Sequence, residues 1–229
     1  MTTKLALNRI LLWVLMDTER RGASATVTVQ AGKARRALLV EKGELFAAES
    51  NLKAERIGDM LVAEGLLDPA LLEPVAAEAA KQHVLLGTQL VKDGLLSIED
   101  LQAALDRQVT YRLGAALSMR GEVMIEPARP AVTNLRVPMT LAMTTAFRSW
   151  VPLAAIEAEL MVAAEDDEEP MVLDDTSAKF QLLELGPAEL RLAKKLTKGE
   201  RMDDLIASGA PREPVLRLLG ALRAVGLWR

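Results

Sequence analysis

One histidine, His83, and no cysteine leave little side-chain chemistry in a chain of 229 residues. Without cysteine there are no disulfides, no thiolate nucleophiles and no sulfur-ligated zinc. A single imidazole supplies neither the ligand set of a usual metal centre nor, with no partners at hand, a Ser-His-Asp relay, so His83 is read as structural. The sequence contains no Walker A loop, no G-x-G-x-x-G after a strand, no H-E-x-x-H and no nucleophile elbow. Lys42-Gly43-Glu44 reads as a hairpin turn without a phosphate-binding signature. The acidic run Glu165-Asp166-Asp167-Glu168-Glu169-Pro170 lacks the spaced ligands and turn glycine of a calcium loop and reads as a solvated linker. The expectation is a protein that is not an enzyme and carries no cofactor.

The elements that would position any binding group follow from composition and pattern. Half of the residues are apolar, mostly Leu, Ala and Val, with only three Phe, three Trp and one Tyr, a mixture that favours helix over sheet and suffices for a sizeable core. Acidic and basic residues are interspersed, with 28 Lys and Arg against 32 Asp and Glu, so no broad positive field gathers nucleic acid or an anionic membrane. The apolar stretch Leu5 to Met16 is interrupted by Arg9 and followed by Asp17-Thr18-Glu19-Arg20-Arg21 rather than small cleavage-site residues. It is read as an amphipathic first helix in a cytoplasmic protein without membrane insertion.

From Ala23 the pattern changes to period two: Ala25, Val27 and Val29 alternate with Thr26, Thr28 and Gln30, and Ala31-Gly32-Lys33 turns the chain. Ala37 to Val40 and Leu45 to Ala48 add two antiparallel strands, and Gly121 to Pro127 returns to the same sheet after a long helical insertion. That insertion holds a repeat. Arg56-Ile57-Gly58-Asp59-Met60-Leu61-Val62-Ala63-Glu64-Gly65-Leu66-Leu67 and Leu85-Leu86-Gly87-Thr88-Gln89-Leu90-Val91-Lys92-Asp93-Gly94-Leu95-Leu96 both read x-[IL]-G-x-x-L-V-x-x-G-L-L, and every residue of the second lies 29 positions after its counterpart. Asp68 and Ser97 then stand where each can cap a further helix, and Glu99 and Asp100 add first-turn negative charge. Each copy is expected to be a short helix, a glycine turn and a second helix.

Beyond Pro127, Leu135 to Met161 reads as helices broken near Pro152, and the tail as three helices, Pro187 to Thr197, Met202 to Ser208 and Arg212 to Val225, punctuated by Gly199, Gly209 and Gly226. Helix, short helix, glycine turn and longer helix outline a tri-helical, winged-helix-like unit. The fold class is therefore α+β and mostly helical: a small antiparallel sheet with an inserted helical repeat, then a helical tail. The expected division is 1–130 with the repeat at 55–112, a helical connector at 131–163, an acidic linker at 164–171 and a small helical unit at 172–229. Trp13, Trp150 and Trp228 are expected as core anchors.

The repeat resembles the tandem motif of MshEN domains, the amino-terminal domains of type II secretion and type IV pilus ATPases, which reads roughly R-L-G-x-x-L-V-x-x-G-x-I followed by spaced Leu, Leu and Gln. Arg56, Gly58, Leu61, Gly65, Leu67 and Leu72 match in the first copy, where Ala76 and Ala79 replace the later Leu and Gln. Gly87, Leu90, Gly94, Leu96, Leu101, Leu105 and Gln108 match in the second, where Leu85 replaces Arg. Some MshEN domains bind cyclic di-GMP, so the resemblance implies a ligand set of Arg56, Gly58, Gly65, Gly87, Gly94 and Gln108. The matching positions also suit plain helical packing, which is the favoured reading of the repeat.

Arg36-Ala37-Leu38-Leu39-Val40-Glu41-Lys42-Gly43-Glu44-Leu45-Phe46-Ala47-Ala48-Glu49-Ser50, after a Leu-rich first helix, is similar to the strand-turn-strand of the PATAN family of bacterial signalling domains, and Gly121 to Pro127 resembles that family's closing strand. This resemblance spans about residues 5 to 127. It implies an adaptor acting through protein partners in a bacterial regulatory system, such as a response regulator or a small GTPase circuit. The alternatives are a cyclic di-GMP sensor and DNA binding by the tail, where Arg212, Arg217 and Arg223 lie near the longest helix. Residues 185–229 carry nine basic against five acidic groups, a modest excess, so nucleic acid is the least favoured partner. Leucine faces in excess of one small core leave room for a homo-oligomer.

Overall fold

The computed structural model describes residues 6–130, 136–166, 173 and 175–227, the side chains of 163–166 excepted. Asn8 decides where the first helix starts. Its Oδ1 accepts the Leu11 amide at 3.0 Å and its Nδ2 donates to the Met119 carbonyl at 3.0 Å, so α1 (Arg9–Arg20) begins after this cap, while Leu5, where the sequence pattern starts the helix, lies outside the described residues. The helix also runs past Met16, because Asp17 pairs with Arg20 and Arg21 and the Thr18 hydroxyl donates to the Val14 carbonyl at 2.7 Å. Leu11, Val14 and Leu15 form its buried face.

The alternating segment becomes β1 (Ala25–Ala31), β2 (Ala34–Glu41) and β3 (Glu44–Ser50), paired antiparallel in sequence order. Lys42 and Gly43 both take positive φ, +52° and +80°, the geometry of a two-residue hairpin turn whose twist suits the strands. The returning strand β4 (Glu122–Pro127) pairs with β1, Val27 opposite Ile125, as its pattern indicated. A two-residue strand β5 (Val137–Pro138), absent from the sequence reading, pairs with β3 and completes the order β4-β1-β2-β3-β5. The fold is α+β and mostly helical. One sheet face, with Val27, Val29, Leu38, Val40, Leu45 and Ala48, joins the main core; the other buries Ala37, Leu39 and Phe46 as a small separate cluster.

Between β3 and β4 the two repeat copies form in matching frames. The first is α2 (Ile57–Ala63) and α3 (Pro69–Lys81); the second is α4 (Leu86–Lys92) and α5 (Ile98–Leu117). Asp68 caps α3 through the Ala70 amide at 2.8 Å, and Ser97 caps α5 through the Asp100 amide at 2.9 Å. The helix ends also match: the Leu66 amide reaches the Leu61 carbonyl at 2.9 Å, and Leu95 reaches Leu90 at 3.0 Å. Gly65 and Gly94 make both turns possible, at φ +72° and +68°, in the left-handed region that suits residues without a Cβ.

The remainder is helical: α6 (Met139–Ser149), α7 (Leu153–Asp166), α8 (Ala178–Gln181), α9 (Pro187–Leu196), α10 (Met202–Ala207) and α11 (Arg212–Ala224). The break near Pro152 falls between α6 and α7, as expected. Because α7 extends through Asp166, the acidic run begins inside a helix; residues 167–171 of the expected linker lie outside the described residues, as does Trp228. The tail buries its apolar positions with those of the sheet: Leu196, Leu205, Leu216 and Leu219 share one cluster with Leu11 and Phe147. α7 and α11 approach so closely at Gly220 that a Cβ there would lie 2.5 Å from the Ile156 Cγ2.

Candidate functional site

The repeat has a core of its own, formed by Leu61, Leu67, Val75, Leu90 and Ala104, distinct from the cluster that covers the sheet. Its two internal glycines serve that core. A Cβ on Gly58 would lie 2.4 Å from Leu72 Cδ1 and 2.9 Å from Leu86 Cδ2, and a Cβ on Gly87 would lie 2.9 Å from Leu101 Cδ1. In each copy a leucine fourteen positions later fills the space that the missing side chain leaves. Gly58 and Gly87, two positions of the dinucleotide set, thus face leucine. Gly65 and Gly94 face open space, with no atom within 4 Å of where a Cβ would stand.

Arg56 and Gln108, the two polar positions, come together from opposite ends of the repeat. Arg56 is exposed at the start of α2, and its guanidinium makes no hydrogen bond or ion pair among the described residues. Gln108, buried on α5, donates through Nε2 to the Glu55 carbonyl at 2.8 Å, the peptide that leads into Arg56. Its amide nitrogen is thereby engaged within the fold. At the counterpart of Arg56, Leu85 is 79% exposed; at the counterpart of Gln108, Ala79 is buried.

Beneath this pair lies a polar node that sequence reasoning missed. Glu55, in a 3-10 turn at Lys53–Glu55, is 3% exposed, and its carboxylate receives two bonds from Arg36 of β2, one of them Nε at 3.1 Å. Arg36 also donates to the Met119 sulfur at 2.9 Å. Arg112 of α5 donates to the carbonyls of Glu55 and Ala48, which ties the repeat to β3. Burial lowers the Arg112 pKa from the ordinary guanidinium value, and the neighbouring Glu55 charge opposes that shift, so the group stays cationic. The only sequence signal was an arginine at the head of β2's apolar run and a glutamate just before the first repeat copy.

The exposed surface of the repeat is apolar at matched places. Leu66 and Leu95, each following its turn glycine, are 41% and 36% exposed, and Ile98 at the start of α5 is 68% exposed. His83 is also exposed, at φ +56°, in the left-handed position that ends α3, where its amide reaches the Ala80 carbonyl at 3.2 Å.

Two further sequence expectations meet the structure here. Trp150 is a partly buried anchor, edge-on to Tyr111 at 5.3 Å between ring centroids, with its Nε1 donating to the Thr110 hydroxyl at 3.3 Å. Trp13 is not an anchor: it is 64% exposed, because α1 turns Leu11, Val14 and Leu15 to the core and leaves position 13 on the opposite face. In the tail, α11 buries most of its length. Arg212 pairs with Glu157, and Arg217 pairs with Glu213 and donates to the Phe147 and Val151 carbonyls. Among the described residues no group of three or more His, Asp or Glu is placed to hold a metal ion, and no helix is long and apolar enough to cross a membrane.

Comparison with family models, with curated proteins and with solved structures finds no match for this chain.

Proposed function

We propose that this chain is a non-enzymatic adaptor that passes a signal through protein contacts made by the exposed face of its tandem repeat. The observation that carries this reading is the matched exposure of Leu66 and Leu95, extended on the second copy by Leu85 and Ile98. Apolar side chains held at solvent on a helical repeat suit a protein partner. The node of Glu55, Arg36 and Arg112 supports it by joining the repeat to the sheet, so that the turns keep one orientation relative to the sheet. The resemblance to PATAN domains adds the setting: a bacterial regulatory circuit with a response regulator or small GTPase as partner.

A photo-crosslinking residue at position 95 should give one discrete adduct with a second protein in the source cells, and Leu66→Asp with Leu95→Asp should abolish it. An adduct pattern no different from that of a probe in the exposed turn at Lys33 would sink the adaptor reading.

One observation favours a second reading. The Arg56 guanidinium, exposed and unpaired at the start of α2, is suited to a phosphate or a guanine edge, as in a cyclic di-GMP sensor. Calorimetric titration of the whole chain with cyclic di-GMP, repeated on Arg56→Ala, separates the two. Saturable binding lost in the variant makes the repeat a nucleotide sensor, whereas absence of heat leaves it as a protein-binding scaffold.

A further inference from the structure

Trp13 lies outside the hydrophobic core, at the centre of an ordered stripe. The outer face of α1 carries Arg9, Ile10, Trp13, Asp17 and Arg20 at helical spacing, with Ile10 65% and Trp13 64% exposed. Beside the stripe runs a groove of about 710 Å³ whose lining includes Trp13, Met16, Lys179 and Leu227. A large aromatic side chain at solvent next to an open groove is the arrangement of a binding hot spot in the unbound state.

The charges around Trp13 are what identify the occupant. Four residues before it, Arg9 meets Glu159 of α7 at 2.8 Å; four residues after it, Asp17 holds Arg20 and Arg21, the latter at 2.8 Å. One end of the stripe therefore offers a cation with a nearby carboxylate, and the other a carboxylate with nearby cations. When a second α1 is laid antiparallel with the two Trp13 residues opposed, Arg9 of each faces Asp17 of the other. Glu159 faces the Arg20 and Arg21 pair, and Ile10 faces Met16. A parallel arrangement sets like charge on like. The antiparallel one also opposes the two helix dipoles favourably.

We infer that a second copy of this chain packs on this face, as an isologous dimer whose α1 helices cross antiparallel at Trp13, each indole entering the groove of the other copy. A helix of this length makes a small interface, so association is concentration-dependent. The face is separate from the repeat turns, so the inference stands or falls independently of the adaptor reading.

Sedimentation equilibrium of the full chain from about 1 to 500 µM spans the range in which an interface of this size assembles, and the mass should rise from one protomer to two. Trp13→Ala, at an exposed position, should keep the fold by circular dichroism and weaken the dimer at least tenfold. Arg9→Glu alone and Asp17→Arg alone should each weaken it, since both contacts then oppose like charges. An equimolar mixture of those two variants should dimerise again, because the mixed pair regains attraction at both ends. A wild-type mass of one protomer throughout, a dimer unmoved by Trp13→Ala, or a mixture no tighter than either variant alone would each overturn the inference.

Discussion

The two larger hydrophobic cores among the described residues differ in kind. The main one gathers Leu11 of the first helix, Val27 and Leu38 of the sheet, Phe147 of α6 and Leu219 of the last helix, residues far apart in sequence. The repeat core draws Leu61, Leu67, Val75, Leu90 and Ala104 from a single continuous stretch. α5 belongs to both: Ala104 lies in the repeat core, and Val109, Leu113 and Leu117 lie in the main one. The difference teaches that the repeat is a local structure with a small apolar reservoir, held to a non-local structure by one helix and one buried ion pair. Local contacts are quick to form and easy to open; the main core sets the global stability.

The largest effect should come from the joint between the two. Glu55→Ala leaves the buried Arg36 guanidinium without its carboxylate and should cost about 3–5 kcal/mol, read as a lower urea midpoint. Replacing both Arg36 and Glu55 by apolar residues of similar volume should recover much of that loss, and a double variant no better than the single would show that the pair does more than neutralise itself. Next, Leu113→Ala and Leu61→Ala each remove a fully buried leucine and should each cost about 2–5 kcal/mol, but in different places. Leu113→Ala should lower protection from hydrogen exchange everywhere, and Leu61→Ala chiefly in residues 57–104. Equal loss across the chain for both would mean that the two cores open as one.

The glycines sharpen the same comparison at smaller scale. At Gly114, in the main core, an added Cβ would lie 2.6 Å from the Trp150 Cβ and 3.4 Å from its backbone carbon; at Gly58 it would meet only the flexible end of Leu72 and Leu86. Gly114→Ala should therefore cost about 3 kcal/mol and Gly58→Ala nearer 1 kcal/mol by thermal unfolding. His83→Gly, which relieves a left-handed residue at the end of α3, should stabilise the repeat by about 1 kcal/mol and leave protection in the sheet unchanged.

Acid should act most weakly. Asp17 is held below the usual carboxylate range by Arg20, Glu78 by Gln82 and Glu157 by Arg212, all at the surface. Because their folded pKa values lie below the unfolded ones, they add stability at neutral pH that is lost as pH falls through the folded values, below about 4. The loss should be slight and should shrink further in salt, which a pair of melting curves at low and high ionic strength would show.

Much of this was legible in advance for a physical reason. Period-two alternation marked β1, because Val27 and Val29 face the main core while Thr26 and Thr28 lie on the other face, itself covered, and the 29-residue offset marked both copies of the repeat, because each packs the same way against its neighbour. Asp68, Ser97, Gly65 and Gly94 were readable as cap and turn residues from type and place. The start of α1 was not: Asn8 caps it while bonding to Met119, a partner more than a hundred residues away. Nor was the exposure of Trp13, since an aromatic in an apolar run looks the same whichever face the core takes.

The sequence by itself thus determined the class of the fold, the strands of its hairpins and the frame of the repeat, all of which depend on residue type and short-range spacing. Only the tertiary structure decided that Gly58 and Gly87 lie against leucines, that Gln108 bonds the Glu55 carbonyl, that Arg36 and Arg112 meet around Glu55, and that Ile10 and Trp13 are left outside. Those outcomes rest on which distant elements come to share a face, and short-range pattern carries no term for that.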